Sequence, residues 1–111
     1  MAVTVKVLIP AVIASSSQTT QYTATGVTAI IDKFTATNYS GSAATLSVNL
    51  VTLAGSAGNA NLIVKTKTLQ AGETYTFPEI VGAALGVGDF ISTVASAATS
   101  INIRASGREI S

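Results

Sequence analysis

The fold is decided by the stretch Leu69-Gln70-Ala71-Gly72-Glu73-Thr74-Tyr75-Thr76-Phe77-Pro78 and its continuation Gly88-Asp89-Phe90-Ile91. Within it, Ala71-Gly72-Glu73 predicts a tight turn, because glycine accepts a positive φ without a steric cost. Glu73, Tyr75 and Phe77 then alternate with two threonines, which predicts a strand with one face turned to a core. Pro78 lacks the amide hydrogen that a strand ladder needs, so the strand ends there. Gly88-Asp89 predicts a second turn, and the whole stretch predicts the corner of a β-sandwich.

Seven further runs of alternating or β-branched residues predict strands along the rest of the chain. They cover residues 2–9, 19–25, 27–39, 45–53, 62–69, 90–96 and 100–106. Pro10 is expected to end the first strand, residues 79–85 to form one or two helical turns, and residues 107–111 to be a tail. In the third strand, Ile30, Asp32, Phe34 and Ala36 are expected to share one face. In the run at 62–69, Lys65 and Lys67 are typical of a protected sheet edge.

These runs predict an all-β, single-domain antiparallel β-sandwich of about eight strands, either jelly-roll or Ig-like. Both strand orders produce the same alternation, so the pattern does not choose between them. Residues 1–17 are interpreted as an N-terminal strand or arm, and residues 18–111 as the sandwich domain. The apolar run at 7–14 is preceded by a single Lys6 within an alternating pattern, which favours a strand over a signal peptide.

Composition gives a neutral surface that is poorly protected against association. The chain has 111 residues, of which 48% are hydrophobic and 10% charged. An ordinary soluble domain has about 25% charged residues, and here serine and threonine take much of that share. Surfaces built from hydroxyl groups associate more readily than charged ones. We therefore expect outer faces that contact partners, with an ordinary neutral β-domain as the alternative.

The residue types present argue against most kinds of chemical site. The net charge is +1 with scattered basic residues, so no nucleic-acid-binding patch is predicted. Cysteine and histidine are absent, which removes disulfides and the usual zinc ligands. No apolar run approaches the ~20 residues of a membrane span. We expect no catalytic, cofactor-binding or metal-binding residues, no cofactor and no enzymatic activity.

Three weaker functional readings stay open beside this one. Glu73 and Asp89 could form a hydrolase carboxylate pair, although both read as turn residues. Arg104 and Arg108 with Glu109 could contact a partner, or form an exposed charged cluster. The tyrosines could form an aromatic carbohydrate-binding platform, although core or edge packing also explains them; they are Tyr22, Tyr39 and Tyr75.

Five motifs along the chain belong together. They are Leu69-x-Ala71-Gly72-Glu73-Thr74-Tyr75-x-Phe77-Pro78, Gly88-Asp89-x-Ile91, Ile103-x-Ala105-Ser106-Gly107-x-Glu109, Phe34-Thr35-Ala36-Thr37-Asn38 and Leu46-Ser47-Val48-Asn49-Leu50. This set resembles small structural proteins of tailed-bacteriophage virions. The resemblance runs from about Thr28 to the end. It implies a non-enzymatic virion protein that decorates or cements the capsid, or else a neck or tail accessory protein.

The resemblance also implies partners and a location. The expected partners are the major capsid protein or other virion proteins and further copies of the chain, with a trimer favoured at local symmetry axes. No contact with nucleic acid or membrane is expected, and the expected location is the virion. A carbohydrate-binding or adhesin β-sandwich is the alternative. The N-terminal segment, residues 1–17, could add a strand to a neighbouring subunit.

Overall fold

The computed structural model describes residues 2–111, which form two antiparallel β-sheets packed face to face. The strands are β1 (Val3–Ile13), β2 (Thr19–Thr23), β3 (Thr28–Asn38), β4 (Ala44–Val51), β5 (Leu62–Leu69), β6 (Thr74–Thr76), β7 (Ala84–Leu85), β8 (Phe90–Ala95) and β9 (Ile101–Ile110). A 3₁₀ turn covers Asn59–Asn61, and residues 2–111 contain no α-helix. The predicted all-β sandwich is confirmed.

The strand order identifies the sandwich as a jelly roll. The first sheet has the order β1-β9-β3-β6, with the two-residue β7 paired beside β3, and the second has the order β2-β8-β4-β5. Leaving β7 aside, every connection except β4–β5 passes from one sheet to the other. Apart from β4 and β5, neighbouring strands in each sheet are therefore not consecutive in sequence, which is how two Greek keys combine in a jelly roll. This resolves the choice that the alternation pattern left open.

The core lies between the sheets and includes the end of the fold-deciding stretch. Gly72 has φ of 79° and the Glu73 amide donates to the Gln70 carbonyl at 2.9 Å, which confirms the predicted turn. Phe77 is fully buried and meets Phe34 edge-to-face with ring centroids 5.2 Å apart. Burial of such apolar side chains is the main favourable contribution to folding.

A β-bulge in β3 corrects the predicted faces of that strand. Its pairing with β9 shifts between Ile31 and Lys33, so Asp32 is an extra residue on the β3 side. Ile31 is buried with Phe34, whereas Asp32 is exposed. The expectation that Ile30 and Asp32 share the face of Phe34 is wrong, because one inserted residue reverses the alternation of a strand.

Strand β1 is longer than expected. Pro10 does not end it; the strand continues to Ile13 through two register shifts in its pairing with β9. β1 lies at the edge of its sheet, and a strand edge without a neighbour tolerates a residue that has no amide hydrogen. Leu8 and Ile9 are buried in the common core. The segment interpreted as a strand or arm therefore contributes a strand to the sandwich.

The expected C-terminal tail is wrong, and the expected helical turns at 79–85 are present in part. The predicted tail at 107–111 is mostly strand, because β9 continues to Ile110 between β1 and β3. Residues 79–85 form one hydrogen-bonded turn, in which the Val81 amide donates to Phe77 at 3.2 Å, and then enter β7. Gly82, with φ of 85°, ends that turn.

A polar network covers part of the outer face of the second sheet. Asn49 is buried although it lies on the β4 face opposite the core residue Val48. Its amide nitrogen donates to the Gly58 carbonyl at 3.0 Å and to Asn61 Oδ1 at 2.7 Å, and its oxygen accepts from Gln18 at 3.3 Å. The loop predicted at 54–60 is thus hydrogen-bonded onto this sheet.

Candidate interaction surface

A shallow polar groove of about 210 Å³ runs along the outer face of the first sheet, between β3 and β9. It is lined by Lys33, Thr35, Thr37, Asn102, Arg104 and Ser106. The antiparallel register places Lys33 opposite Ser106, Thr35 opposite Arg104 and Thr37 opposite Asn102. We call these six residues the polar groove.

Strand alternation explains why these side chains share the outer face. Phe34 and Ala36 on β3 and Ile103 and Ala105 on β9 are fully or almost fully buried between the sheets. Their sequence neighbours therefore point away from the core. The bulge at Asp32 lies just before this set, and the pairing from Lys33 to Thr37 is regular, so Lys33, Thr35 and Thr37 share one face.

The polar groove offers cations and hydroxyl groups. The ion pairs within residues 2–111 are Lys6–Glu109 and Arg108–Asp32, so Lys33 and Arg104 have no carboxylate partner in the part of the chain described. Both side chains are exposed. Hydroxyl groups beside unpaired cations suit hydrogen bonding to carbonyl or carboxylate groups of a partner protein. The lining contains no histidine and no carboxylate.

The two carboxylates considered as a hydrolase pair are not brought together. Glu73 lies beside the C-terminal end of β3, where its carbonyl accepts from the Asn38 amide. Asp89 lies in the turn at residues 86–89, where its carbonyl accepts from the Ala24 amide. Both carboxylates accept hydrogen bonds from backbone amides within turns, as expected if they are turn residues. Glu73 Oε1 accepts from the Gln70 amide at 2.7 Å, and Asp89 accepts from the Gly86 amide at 2.9 Å.

Glu109 lies on the opposite face of β9 from Arg104 and Arg108. Arg104 lies in the polar groove, and Arg108 forms a bidentate pair with Asp32 at 2.9 and 3.0 Å. This pairing raises the pKa of Arg108. Glu109 points the other way, toward the second sheet, so the three residues do not form one charged patch.

Glu109 links the two sheets at one end of the sandwich. It accepts a hydrogen bond of 2.5 Å from the Tyr22 hydroxyl on β2 and one of 3.2 Å from Lys6 on β1. The Tyr22 bond is the main cause that lowers the pKa of Glu109, and Lys6 contributes to the same direction. Burial raises the pKa of Tyr22, and the neighbouring Glu109 adds to that rise.

The tyrosines do not form a common platform. Tyr22 is buried, and Tyr75 packs against Phe77 with Lys67 Nζ 4.4 Å from its ring centroid. Tyr39 is half-exposed at the end of β3. None of them lines the polar groove. An aromatic binding surface in this fold would therefore rest on Tyr39.

Neither a metal-binding cluster nor a bilayer-spanning helix occurs among residues 2–111. Among residues 2–111, no group of three or more carboxylate, histidine or cysteine side chains is placed to hold a metal ion. Across the same residues, the fold has no helix with the length and apolarity needed to span a bilayer.

Comparisons with protein-family models, with curated proteins and with solved structures find no match to this chain.

The amino-acid sequence does not predict the polar groove. The alternation of β3 and β9 was visible in the sequence, but their adjacency in one sheet was not.

Proposed function

We propose that this chain is a non-enzymatic structural protein of a bacteriophage virion that decorates or cements the capsid through protein–protein contacts. The phage assignment comes from the resemblance of the turn and strand motifs. The observation that supports a structural role is the open outer face of the first sheet, where a polar groove lies beside exposed valines of β1. Such a face suits side-by-side packing more than binding of a small molecule.

The jelly-roll order is compatible with this proposal and does not carry it. Viral capsid proteins, lectins and cupins all use jelly rolls, so the fold is shared by unrelated functions. The proposed partners are the major capsid protein or other virion proteins and further copies of the chain. A trimer at a local three-fold axis would meet the symmetry of a capsid lattice.

The first experiment is to measure the copy number of this chain in purified particles by quantitative mass spectrometry, with the major capsid protein as internal reference. A value in the hundreds is expected, because an icosahedral lattice offers that many equivalent positions. A value of about six or twelve would instead indicate the neck or tail, where rings set the number. Absence from particles would overturn the virion proposal.

A second experiment tests the surface. Lys33→Glu combined with Arg104→Glu reverses both unpaired cations of the polar groove, and both side chains are exposed, so folding should be preserved. We expect this variant to lose binding to undecorated capsids. Lys65→Glu, on the exposed edge of the other sheet, is the control and should retain it. Equal binding by both variants would exclude the groove as the contact.

A carbohydrate-binding or adhesin module remains the alternative function. It now depends on Tyr39, the most exposed tyrosine. Glycan-array binding that disappears in Tyr39→Ala, together with absence from particles, would favour this alternative.

A further inference from the structure

The edge of the first sheet formed by β1 is open along residues 3–7. β1 is the terminal strand of its sheet and pairs with β9 on one side. No strand within residues 2–111 pairs with its other side. We call residues 3–7 of this strand the β1 edge.

The alternation of backbone hydrogen bonds between β1 and β9 shows which residues of β1 direct their amide and carbonyl groups toward the open side. Ala2 and Ser111 exchange both of their backbone hydrogen bonds at 3.0 Å. In an antiparallel pair, hydrogen-bonded and non-hydrogen-bonded positions alternate. Val3, Val5 and Val7 are therefore the residues whose amide and carbonyl groups point away from β9, toward the open side.

The same three valines also present their side chains to solvent. They are 57%, 84% and 43% exposed, and Val5 is the most exposed large apolar side chain in residues 2–111. Open backbone groups together with exposed β-branched side chains are the features that lead strands to pair with other chains.

The other sheet edges carry the usual protection. β6 is three residues long, and β2 is short and bulged. β5 carries Lys65 and Lys67 and a bulge at Thr66, whose φ is 44°. Short edges, lysines and bulges all hinder pairing with a further strand. The β1 edge has no bulge before Leu8, and its lysine is bonded to Glu109 on the core-facing side.

We propose that the β1 edge is a two-fold interface between two copies of this chain, in which the β1 strands pair antiparallel about Val5. Val5 would lie opposite Val5 of the second copy, and Val3 opposite Val7. Each of these pairs would exchange two backbone hydrogen bonds. The first sheets of the two copies would then form one continuous sheet.

The occupant is a second copy because the edge is complementary to itself. Valines at equal spacing on either side of Val5 match when the strand is reversed, as an isologous contact requires. The one charged residue of β1, Lys6, would lie opposite Thr4 of the second copy, so like charges would not face each other. This inference is independent of the proposed virion function and uses a different part of the sheet from the polar groove.

Sedimentation equilibrium of the full chain and of Val5→Lys tests the interface. The wild-type chain should be dimeric or form a larger assembly with two-fold contacts. Val5→Lys places two lysines opposite each other on the axis and should dissociate that contact. Val87→Lys is the matched control, since Val87 is 57% exposed in the turn between β7 and β8, outside β1, and it should associate like the wild type. Unchanged circular dichroism should show that the variants fold.

Cysteine cross-linking tests the register, because the chain has no cysteine of its own. Hydrogen-bonded residues opposite each other in such a pair have Cα atoms about 5.5 Å apart. A short thiol-specific cross-linker should therefore join Val5→Cys efficiently to itself, and Val87→Cys hardly at all. A wild-type chain that stays monomeric near millimolar concentration, association unaffected by Val5→Lys, or equal cross-linking of the two cysteine variants would each overturn the proposal.

Discussion

Asn38 is a polar side chain with no exposure to solvent, and four hydrogen bonds account for its burial. Its amide nitrogen donates to the carbonyls of Ser42 and Leu69 at 2.8 and 2.9 Å. Its oxygen accepts from the amide and hydroxyl of Ser40 at 2.9 and 2.7 Å. Burial of a polar group is tolerated when its partners are present. One residue therefore holds the turn after β3 against the end of β5.

Asn38→Ala should destabilise the protein. Leaving a single buried partner unsatisfied costs about 1–3 kcal/mol, and this variant removes the donor to the buried Leu69 carbonyl together with three partly buried bonds. We expect the free energy of unfolding in urea to fall by more than about 2 kcal/mol. Asn59→Ala, at an exposed position, is the control and should stay within about 0.5 kcal/mol of the wild type. Similar losses for both variants would show that the Asn38 bonds contribute little.

Glu109 should make stability depend on pH in the acid range. Its hydrogen bond from Tyr22 lowers its pKa in the folded state. The stabilisation is therefore fully present above the unfolded-state pKa of about 4.3 and is lost as the pH falls through the lower folded-state pKa. Glu109→Gln should flatten this acid limb when the free energy of unfolding is measured against pH.

Tyr22→Phe serves as the companion variant, because it removes the main cause of the shift. It should flatten the same limb, and the double variant should add little to either single change. An acid limb in Glu109→Gln as steep as that of the wild type would contradict this account.

At the scale of elements, three strands of the first sheet approach closely at Gly107 on β9. The β3 bulge at Asp32 directly follows the Ile31–Gly107 pair, and the β1 bulge at Leu8 lies between the partners of Ser106 and Ala105. A Cβ atom on Gly107 would be 2.0 Å from the Ile30 carbonyl oxygen and 2.9 Å from Leu8 Cδ1. Glycine inside a strand commonly marks such a bulge or close backbone approach.

Gly107→Ala should be poorly tolerated, because the added methyl group meets backbone that cannot move without disturbing the ladder. Overpacking of this kind costs about 1–3 kcal/mol or more. Gly41→Ala is the control, since its added Cβ would meet no atom within 4 Å. Thermal unfolding should show a clear drop in Tm for the first variant and almost none for the second. A Gly107→Ala protein as stable as the Gly41→Ala protein would contradict the close approach.

At the scale of the whole molecule, the two ends of the chain stabilise each other. β1 pairs with β9 from Val3–Ile110 to Ile13–Asn102, so the first sheet contains the first and the last strand of the fold. β9 is a central strand and would become an edge without β1. Leu8, Ile9 and Ala14 also fill part of the core.

The fragment 18–111 should therefore not unfold cooperatively in urea, because it loses a strand and three core residues. Addition of a peptide covering residues 1–17 should restore a cooperative transition, since the missing strand can be supplied by a separate chain. A fragment that unfolds at the midpoint of the full chain would show that residues 1–17 are a detachable arm. A scrambled peptide of the same composition is the control.

The sequence was informative where a local cause acts alone. Gly72 and the alternation from Tyr75 to Phe77 located a turn and a strand that the structure confirms. The faces of β3 were predicted wrongly because the bulge at Asp32 depends on the pairing with β9. The sequence predicts that the last strand ends at residue 106, whereas β9 continues to Ile110. Residues 107–110 are in the strand because they pair with β1 and β3.

The two candidate surfaces also depend partly on local alternation and partly on strand pairing. The valines of β1 and the polar residues of β3 and β9 were recognisable as outward-facing sets from their alternation. That Lys33 and Arg104 line one groove followed from strand adjacency, and a jelly roll places strands side by side that are far apart in the chain.

The amino-acid sequence is enough to predict the all-β class, the positions of most strands, and the absence of histidine and cysteine. These follow from local properties, namely side-chain period, turn residues and the inventory of functional groups. The jelly-roll order, the bulges, the polar groove and the open β1 edge depend on the folded arrangement. They do so because most strands pair with a partner far along the chain, and no alternation pattern records which partner that is.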